Sequence, residues 1–180
     1  VLPKSDMGSA LLRIANIIYK KGIPRIWNEA WVVSILKSGD PTDMNNYRGI
    51  SLIVVIVKIT TLVISTRLAG ALEGSGFFIK EQAGFRWREE CAGHVCALYE
   101  ILRRREIEGK RTYVAFIDIR KAYDTVPIEC LLRKLQMIGV SGTTLEYFRS
   151  LYKGAVVRVR TKYGLSDVVH LMRGLRQGCN

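Results

Sequence analysis

An apolar run that stops at an aspartate is the feature that most restricts how this chain folds. Val114, Ala115, Phe116 and Ile117 have the composition of a strand, and Asp118 follows them directly. A carboxylate at a strand end either stays solvated or reaches a metal ion from a rigid support. The run therefore predicts a strand over 114–117, with Asp118 as a candidate carboxylate for phosphoryl transfer.

The residues after Asp118 add further polar groups to the same short segment. Lys121 and Ala122 supply backbone amides, Tyr123 supplies an aromatic ring, and Pro127 is suited to the start of a helix. We expect these groups and the Asp118 carboxylate to converge on one small site. An ordinary helix start with an amphipathic tyrosine is the alternative.

Four segments of the chain resemble the motifs of reverse transcriptases, in the form found in non-LTR retrotransposons and related group II intron enzymes. In chain order they are WNEAWVVSILKSGDPTDMNNYRGISL at 27–52, QAGFR at 82–86, FIDIRKAYDTV at 116–126 and GLRQGC at 174–179. The resemblance extends over about residues 11–180. The order and spacing of the four segments together are more specific for this family than any one motif alone.

The resemblance implies an α+β fold, with reverse-transcriptase-like fingers and an incomplete ferredoxin-like palm. Residues 1–106 would form the fingers region, 107–126 the palm strand and first catalytic motif, and 127–180 the remaining fingers and palm segment. No two aspartates are adjacent in these 180 residues. We therefore expect the paired-aspartate motif, with further palm and thumb sequence, C-terminal to Asn180. Because a two-metal mechanism needs several carboxylates, we expect this fragment to be inactive alone.

The resemblance also assigns roles to individual residues. Asp118 would be the catalytic carboxylate and would hold Mg²⁺, with the backbone carbonyl of Ile119 as a second metal ligand. The ring of Tyr123 would pack under the sugar of the incoming nucleotide and exclude a 2′-hydroxyl. The full nucleotide-binding set would be Lys37, Arg48, Lys121, Ala122, Tyr123 and Gln177, and the template-strand contacts would be Gln82, Gly84 and Arg86.

The charge of the chain fits a polyanionic partner. Twenty-eight Lys and Arg residues against sixteen Asp and Glu give a net charge of +12, which favours nucleic acid binding, although a solvated basic surface has the same composition. The resemblance implies an RNA template, a DNA primer and deoxyribonucleoside triphosphates as partners, and an intracellular, nuclear location. The bulky stretch at 87–91 replaces the small residues usual in the family, which weakens the expected template contacts near Arg86.

Periodicity and turn residues predict the remaining elements. Helices are predicted over about 6–20, 53–72, 92–108, 127–138 and 141–152, and strands over 31–36, 47–52, 156–161 and 165–172. Segment 53–72 is almost wholly apolar, but Lys58, Arg67 and four hydroxyl residues favour a buried helix over a membrane span, so no membrane partner is expected. Arg103, Arg104 and Arg105 fit either the macrodipole at a helix C-terminus or nucleic acid binding.

The four cysteines give no metal-binding pattern. Cys91, Cys96, Cys130 and Cys179 contain no C-x-x-C pair, and His94 completes only an irregular cluster, so we interpret them as thiols of an intracellular protein.

Three alternatives to a polymerase fragment stay open. The chain could be a non-catalytic RNA-binding remnant, a domesticated partner-binding module, or an unrelated Mg²⁺ phosphotransferase that uses Asp118 and Asp124 together. Steep salt dependence of RNA binding favours the first of these, and a stable partner with little salt dependence favours the second.

Overall fold

The computed structural model describes residues 6–176 and residue 178, and it divides into two compact units. The first unit contains residues 1–65 and 121–180, and the second contains residues 66–120. Each unit has its own helices, whereas all the strands lie in the first. The mixture of helices and strands agrees with the predicted α+β composition.

The first unit holds most of the regular structure. Its helices are α1 (Asp6–Lys21), the first part of α2 (Val55–Gly74), the four-residue α4 (Ala122–Thr125), α5 (Ile128–Met137) and α6 (Gly142–Tyr152); its strands are β1 (Glu29–Leu36), β2 (Tyr47–Leu52), β3 (Val156–Thr161), β4 (Gly164–Leu165) and β5 (Val169–His170). The second unit holds the rest of α2 and the whole of α3 (Cys91–Ile107). The five helices predicted from periodicity are therefore present, with their ends within two residues of the expected positions.

The strands form one small mixed sheet in the order β2-β1-β3-β4, with β5 also paired to β3. β1 runs antiparallel to β2, with Trp31 opposite Leu52, and parallel to β3, with Glu29 opposite Val156. The predicted strand over 165–172 is replaced by β4 and β5, which have two residues each. His170 lies in β5, as expected for a strand residue.

The core of the first unit lies where α1, α2 and α6 pack against β1. Its buried side chains are Ile18, Ala30, Ile53, Val57, Ile64, Tyr147 and Leu151. Tyr147 is fully buried, and its hydroxyl lies 2.7 Å from Oγ1 of Thr61, which donates to the Val57 carbonyl at 2.8 Å. A buried hydroxyl is tolerated here because α2 provides it with a hydrogen-bond partner.

Helix α2 is buried along one face only, rather than over its whole surface as the sequence suggested. Its buried residues are Val57, Thr60, Thr61 and Ile64, whereas Val55, Ile59, Leu62 and Val63 are exposed. By length and composition alone, α2 could cross a membrane. The buried face shows that its first part also serves as a core helix of the first unit.

The predicted strand before Asp118 is wrong. Residues 110–119 have no regular secondary structure, and the side chains of Phe116 and Ile117 are 86% and 91% exposed. The reason is that strand-forming residues need a neighbouring strand, because their stability comes from cross-strand contacts. No residue of 66–120 forms a strand, so the second unit offers Val114–Ile117 no strand to pair with.

Removing the Tyr147 hydroxyl tests the packing of the first unit. In Tyr147→Phe the Thr61 hydroxyl keeps the Val57 carbonyl but loses its buried hydrogen bond with Tyr147, and we expect the free energy of unfolding to fall by about 1–2 kcal/mol. Urea denaturation followed by circular dichroism measures this loss. Tyr163→Phe is the matched control, because Tyr163 is exposed and should change stability by less than about 0.5 kcal/mol. Equal stability of the two variants would contradict the packing described.

Candidate nucleotide and template site

Two sequence motifs are joined by backbone hydrogen bonds in the first unit. The amide of Gly174 donates to the carbonyl of Val126 at 2.8 Å, and the amide of Leu175 donates to the carbonyl of Tyr123 at 2.7 Å. Gly174 has a φ of +88°, and a Cβ added to it would lie 2.9 Å from the backbone oxygen of Asp124. The approach is therefore so close that only glycine fits it without displacing backbone.

The same segment also contacts β2. Gly178 has a φ of +97°, and a Cβ placed on it would lie 3.1 Å from the carbonyl oxygen of Ser51. The segment that begins at Gly174 thus lies against α4 at one point and against β2 at another. Gln177, the predicted contact to the nucleotide sugar, falls outside the described residues.

Asn28 anchors this segment to the sheet. Nη2 of Arg176 donates to the Asn28 backbone carbonyl at 2.7 Å and to its Oδ1 at 2.8 Å. Nδ2 of Asn28 donates in turn to the carbonyls of Ser150 and Lys153, at 3.1 and 3.0 Å. Arg176 and Asn28 are 6% and 3% exposed. Burying a guanidinium is costly, so these polar contacts are what allow Arg176 to sit inside the unit.

Sequence reasoning singled out neither Asn28 nor Arg176 as a functional residue. Both lie inside segments that resemble family motifs, and this position was the one feature of the sequence that indicated a role for them. The pairing was hidden because the two residues are 148 positions apart. We call Asn28, Arg176 and the two carbonyls of Ser150 and Lys153 the Asn28 cluster.

The turn at Lys121 has a strained conformation and an oriented side chain. Lys121 has a φ of +52°, the left-handed region that residues with a side chain rarely occupy. Its Nζ lies 3.2 Å from Oδ1 of Asn45, which is a neutral partner. The ammonium charge therefore stays uncompensated by this contact. Ala122 and Tyr123 begin α4, and the Tyr123 ring is partly exposed, as a residue that contacts a ligand requires.

The two predicted triphosphate contacts lie at neighbouring ends of β1 and β2. Lys37 follows β1 directly, and its amide donates to the Asn46 carbonyl at 2.8 Å. Arg48 lies in β2 opposite Ile35. The side chains of Lys37 and Arg48 are both exposed, so they are free to reach an anion, and their role stays a prediction.

The loop that joins β1 to β2 is held by its own hydrogen bonds. The amide of Thr42 donates to Oδ1 of Asp40 at 2.8 Å, and this contact holds the pKa of the Asp40 carboxyl below its ordinary value. Nδ2 of Asn46 donates to the carbonyl of Asp40 at 2.9 Å. These contacts give the loop a defined shape, so Lys37 and Arg48 flank an ordered turn.

The predicted metal ligands lie in the second unit. Asp118 and Ile119 are exposed and belong to irregular backbone, so the carboxylate lacks the rigid strand support that the sequence suggested. Across residues 6–176 and 178, no three His, Cys, Asp or Glu side chains come together as a metal site. One carboxylate and one carbonyl are too few ligands for two metal ions, so the described residues do not by themselves fit a two-metal centre.

Arg86 is held by contacts within the second unit. Its Nε and Nη2 donate to the two carboxylate oxygens of Glu73, each at 2.8 Å, and Nη1 donates to the carbonyls of Ile79 and Gln82 at 3.1 and 3.0 Å. The guanidinium lowers the pKa of Glu73 through these hydrogen bonds. Most of the Arg86 donors are thus engaged in shaping the loop that contains Gln82 and Gly84.

Comparison with known proteins identifies the family. A family model described as Reverse transcriptase (RNA-dependent DNA polymerase) matches residues 35–180. The chain belongs to the reverse transcriptase family. That assignment confirms the resemblance inferred from the four motifs, and the mixed helix-and-strand structure is compatible with a fragment of such an enzyme.

Relatives of this reverse transcriptase chain come from non-LTR retrotransposons. It is 25% identical over 182 residues to the retrovirus-related Pol polyprotein from type-2 retrotransposable element R2DM of Drosophila melanogaster, covering 99% of this chain and 17% of the relative. It is 29% identical over 174 residues to the RNA-directed DNA polymerase from mobile element jockey of Drosophila funebris, covering 93% and 18%. It is also 25% identical to the transposon TX1 149 kDa protein of Xenopus laevis, covering 96% and 13%. The chain thus spans less than a fifth of each of these relatives.

Truncating Asn28 tests whether the Asn28 cluster holds the segment at Gly174. Asn28→Ala removes the Oδ1 acceptor of the buried Arg176 guanidinium and the Nδ2 donor to two carbonyls, so we expect a loss of about 2–4 kcal/mol in the free energy of unfolding. Trypsin should also cleave after Arg176 faster than in the original chain. Asn16→Ala is the control, because Asn16 is exposed on α1. A loss below about 0.5 kcal/mol with unchanged cleavage would show that the cluster does not hold the segment.

Proposed function

We propose that this chain is the fingers and first palm part of a retroelement reverse transcriptase, whose intact form extends a DNA primer along an RNA template. The observation that supports it best is the contact of Gly174 and Leu175 with Val126 and Tyr123, which belong to the segment FIDIRKAYDTV. This contact brings two of the four family motifs together. Gly178 also lies against Ser51 in β2, which belongs to a third motif, the segment 27–52. A chance resemblance in sequence would not require these segments to meet.

The cations of the first unit suit an incoming deoxyribonucleoside triphosphate. Lys37, Arg48 and Lys121 are exposed and make no ion pair among the described residues. Uncompensated cations on an ordered loop and turn can neutralise phosphate charge without prior rearrangement. In the proposed enzyme they bind the triphosphate, the amides at Lys121 and Ala122 add polar contacts, and the Tyr123 ring excludes a 2′-hydroxyl. Gln177 contacts the sugar.

Asp118 is the residue that we assign to Mg²⁺ in the intact enzyme, together with the carbonyl of Ile119. When bound, the metal ions would stabilise the charge that develops on the transferred phosphate. Since the described residues supply too few ligands, we expect further carboxylates from palm sequence C-terminal to Asn180. No step of the reaction is assigned to a metal held by the 180 residues alone.

The template contacts and the location of the enzyme complete the proposal. Gln82, Gly84 and Arg86 form one loop, in which Arg86 orders the backbone and leaves Gly84 open to solvent. In the proposed enzyme this loop lies along the template strand. By the same family membership, the enzyme would act inside the cell, in the nucleus.

A non-catalytic RNA-binding remnant is the second candidate. It is favoured by one specific observation, namely that the described residues bring no three His, Cys, Asp or Glu side chains together. The net charge of +12 would still attract phosphates without catalysis.

Primer extension distinguishes the two candidates. The chain is extended by its own downstream coding sequence and supplied with an RNA template, a DNA primer, Mg²⁺ and deoxyribonucleotides. We expect extension by this longer chain, background activity for Asp118→Ala, and background activity for the 180-residue chain. Asp167→Ala removes an exposed carboxylate outside the motifs and should keep full activity.

Two results would count against the polymerase proposal. Extension that survives in Asp118→Ala would remove Asp118 from the chemistry. Absence of extension in a longer chain that encodes no paired aspartates, together with RNA binding that weakens steeply with salt, would favour the remnant.

A further inference from the structure

A basic cavity lies in the second unit at the C-terminal end of α3, and its lining includes none of the residues assigned to the polymerase site. Its volume is about 520 Å³, and its lining includes Tyr99, Arg103, Glu106, Lys110 and Arg111. Three cations thus lie beside one carboxylate, Glu106, that makes no ion pair among the described residues. The volume falls within the range of about 300–1,000 Å³ that is usual for small ligands.

The cations of this cavity are not needed to cap α3. The amides of Glu108, Gly109 and Lys110 donate to the carbonyls of Arg104, Glu106 and Arg105, at 3.1, 2.9 and 2.8 Å. Gly109 has a φ of +65°, the left-handed conformation with which many helices end. Backbone donors therefore satisfy the carbonyls of Arg104, Arg105 and Glu106, so the arginine side chains are not needed as hydrogen-bond caps for them.

The three arginines at 103–105 have separate roles. Arg105 donates from Nε to Oγ1 of Thr112 at 2.8 Å and from Nη2 to the carbonyl of Arg111 at 3.0 Å, which fixes the loop after the helix. Arg104 lies 3.8 Å from the Glu100 carboxylate, one turn back along α3. Arg103 has no ion pair or hydrogen bond from its side chain among the described residues, and it lines the cavity.

The other two cations are also available to an anion. The side chain of Arg111 makes no ion pair within the described residues. Nζ of Lys110 lies 2.6 Å from the Glu108 carboxylate, but both side chains are more than half exposed. An exposed pair of this kind is worth little, so Lys110 can exchange it for a phosphate.

We propose that this cavity binds one nucleotide unit of single-stranded RNA, with its phosphates against Arg103, Lys110 and Arg111 and its base stacked on Tyr99. The Tyr99 ring is exposed at the rim of the cavity. A cationic groove beside an exposed aromatic ring is the usual arrangement for single strands, because every base has a face that stacks. The site goes beyond the proposed polymerase function and does not require catalysis.

Binding of a 12-nucleotide single-stranded RNA to the 180-residue chain, measured by fluorescence anisotropy at several salt concentrations, tests the proposal. In Arg103→Ala/Lys110→Ala/Arg111→Ala we expect at least a tenfold loss of affinity at low salt. The slope of log K against log salt should decrease in magnitude by about 1.4, since one nucleotide unit is flanked by two phosphates and each contact to a single strand contributes about 0.7. Tyr99→Leu should weaken binding by about fivefold or more.

Control variants that remove the same positive charge elsewhere distinguish binding at this cavity from general attraction of RNA to a basic chain. Lys20→Ala/Lys21→Ala/Arg25→Ala removes the same charge from exposed positions of the first unit and should change affinity by less than threefold. Tyr163→Leu removes an exposed tyrosine of the first unit and should have no effect. Equal losses in the two triple variants would overturn the proposal.

A variant that binds RNA more tightly cannot have lost its fold, so an expected increase in affinity provides a further test. Glu106→Gln removes the repulsive carboxylate from the cavity, so we expect RNA to bind two- to threefold more tightly. Glu100→Gln changes a carboxylate on the same helix outside the cavity lining and should leave affinity unchanged. No gain in Glu106→Gln, or the same gain in both variants, would contradict the site.

Discussion

The buried contact of Arg176 with Asn28 is the constraint on which the candidate site depends. Asn28 uses its carbonyl, its Oδ1 and its Nδ2 at once, so it links the start of β1, the end of α6 and the segment around Gly174. A guanidinium buried to this degree is stable only while its neutral acceptors stay in place. The position of Gly174 and Leu175 against Val126 and Tyr123 therefore depends on a buried contact between residues to which no ligand role is assigned.

In the first unit, glycines lie where backbone segments approach each other closely, and cationic side chains lie at exposed positions. Gly174 and Gly178 permit the backbone to approach α4 and β2, while Lys37, Arg48 and Lys121 remain exposed. Exposed cations on ordered backbone suit the triphosphate binding that we propose, because they neutralise phosphate charge without prior rearrangement. In the second unit the ordered polar contacts shape loops instead: Arg86 pairs with Glu73, and Arg105 donates to Thr112 and to the carbonyl of Arg111.

Local signals predicted much of the fold, and long-range contacts account for the rest. Helix periodicity and turn residues located α5 and α6 well, because those signals act over a few residues. The strand over 114–117 was wrong because its residues have the right composition but no partner strand in the second unit. Motif recognition found the segments of the site, whereas the Asn28 cluster joins residues 122 to 148 positions apart and could not be predicted.

Hydrogen exchange at the amides of Gly174 and Leu175 tests the account most directly. These amides bond to Val126 and Tyr123, so they should exchange at least about 100-fold more slowly than unstructured amides. The amides of 114–117, in exposed irregular backbone, provide the internal reference and should exchange fast. Protection at 174–175 that disappears in Asn28→Ala would support the account. Exchange at 174–175 as fast as at 114–117 would contradict it, because the motifs would then not be joined.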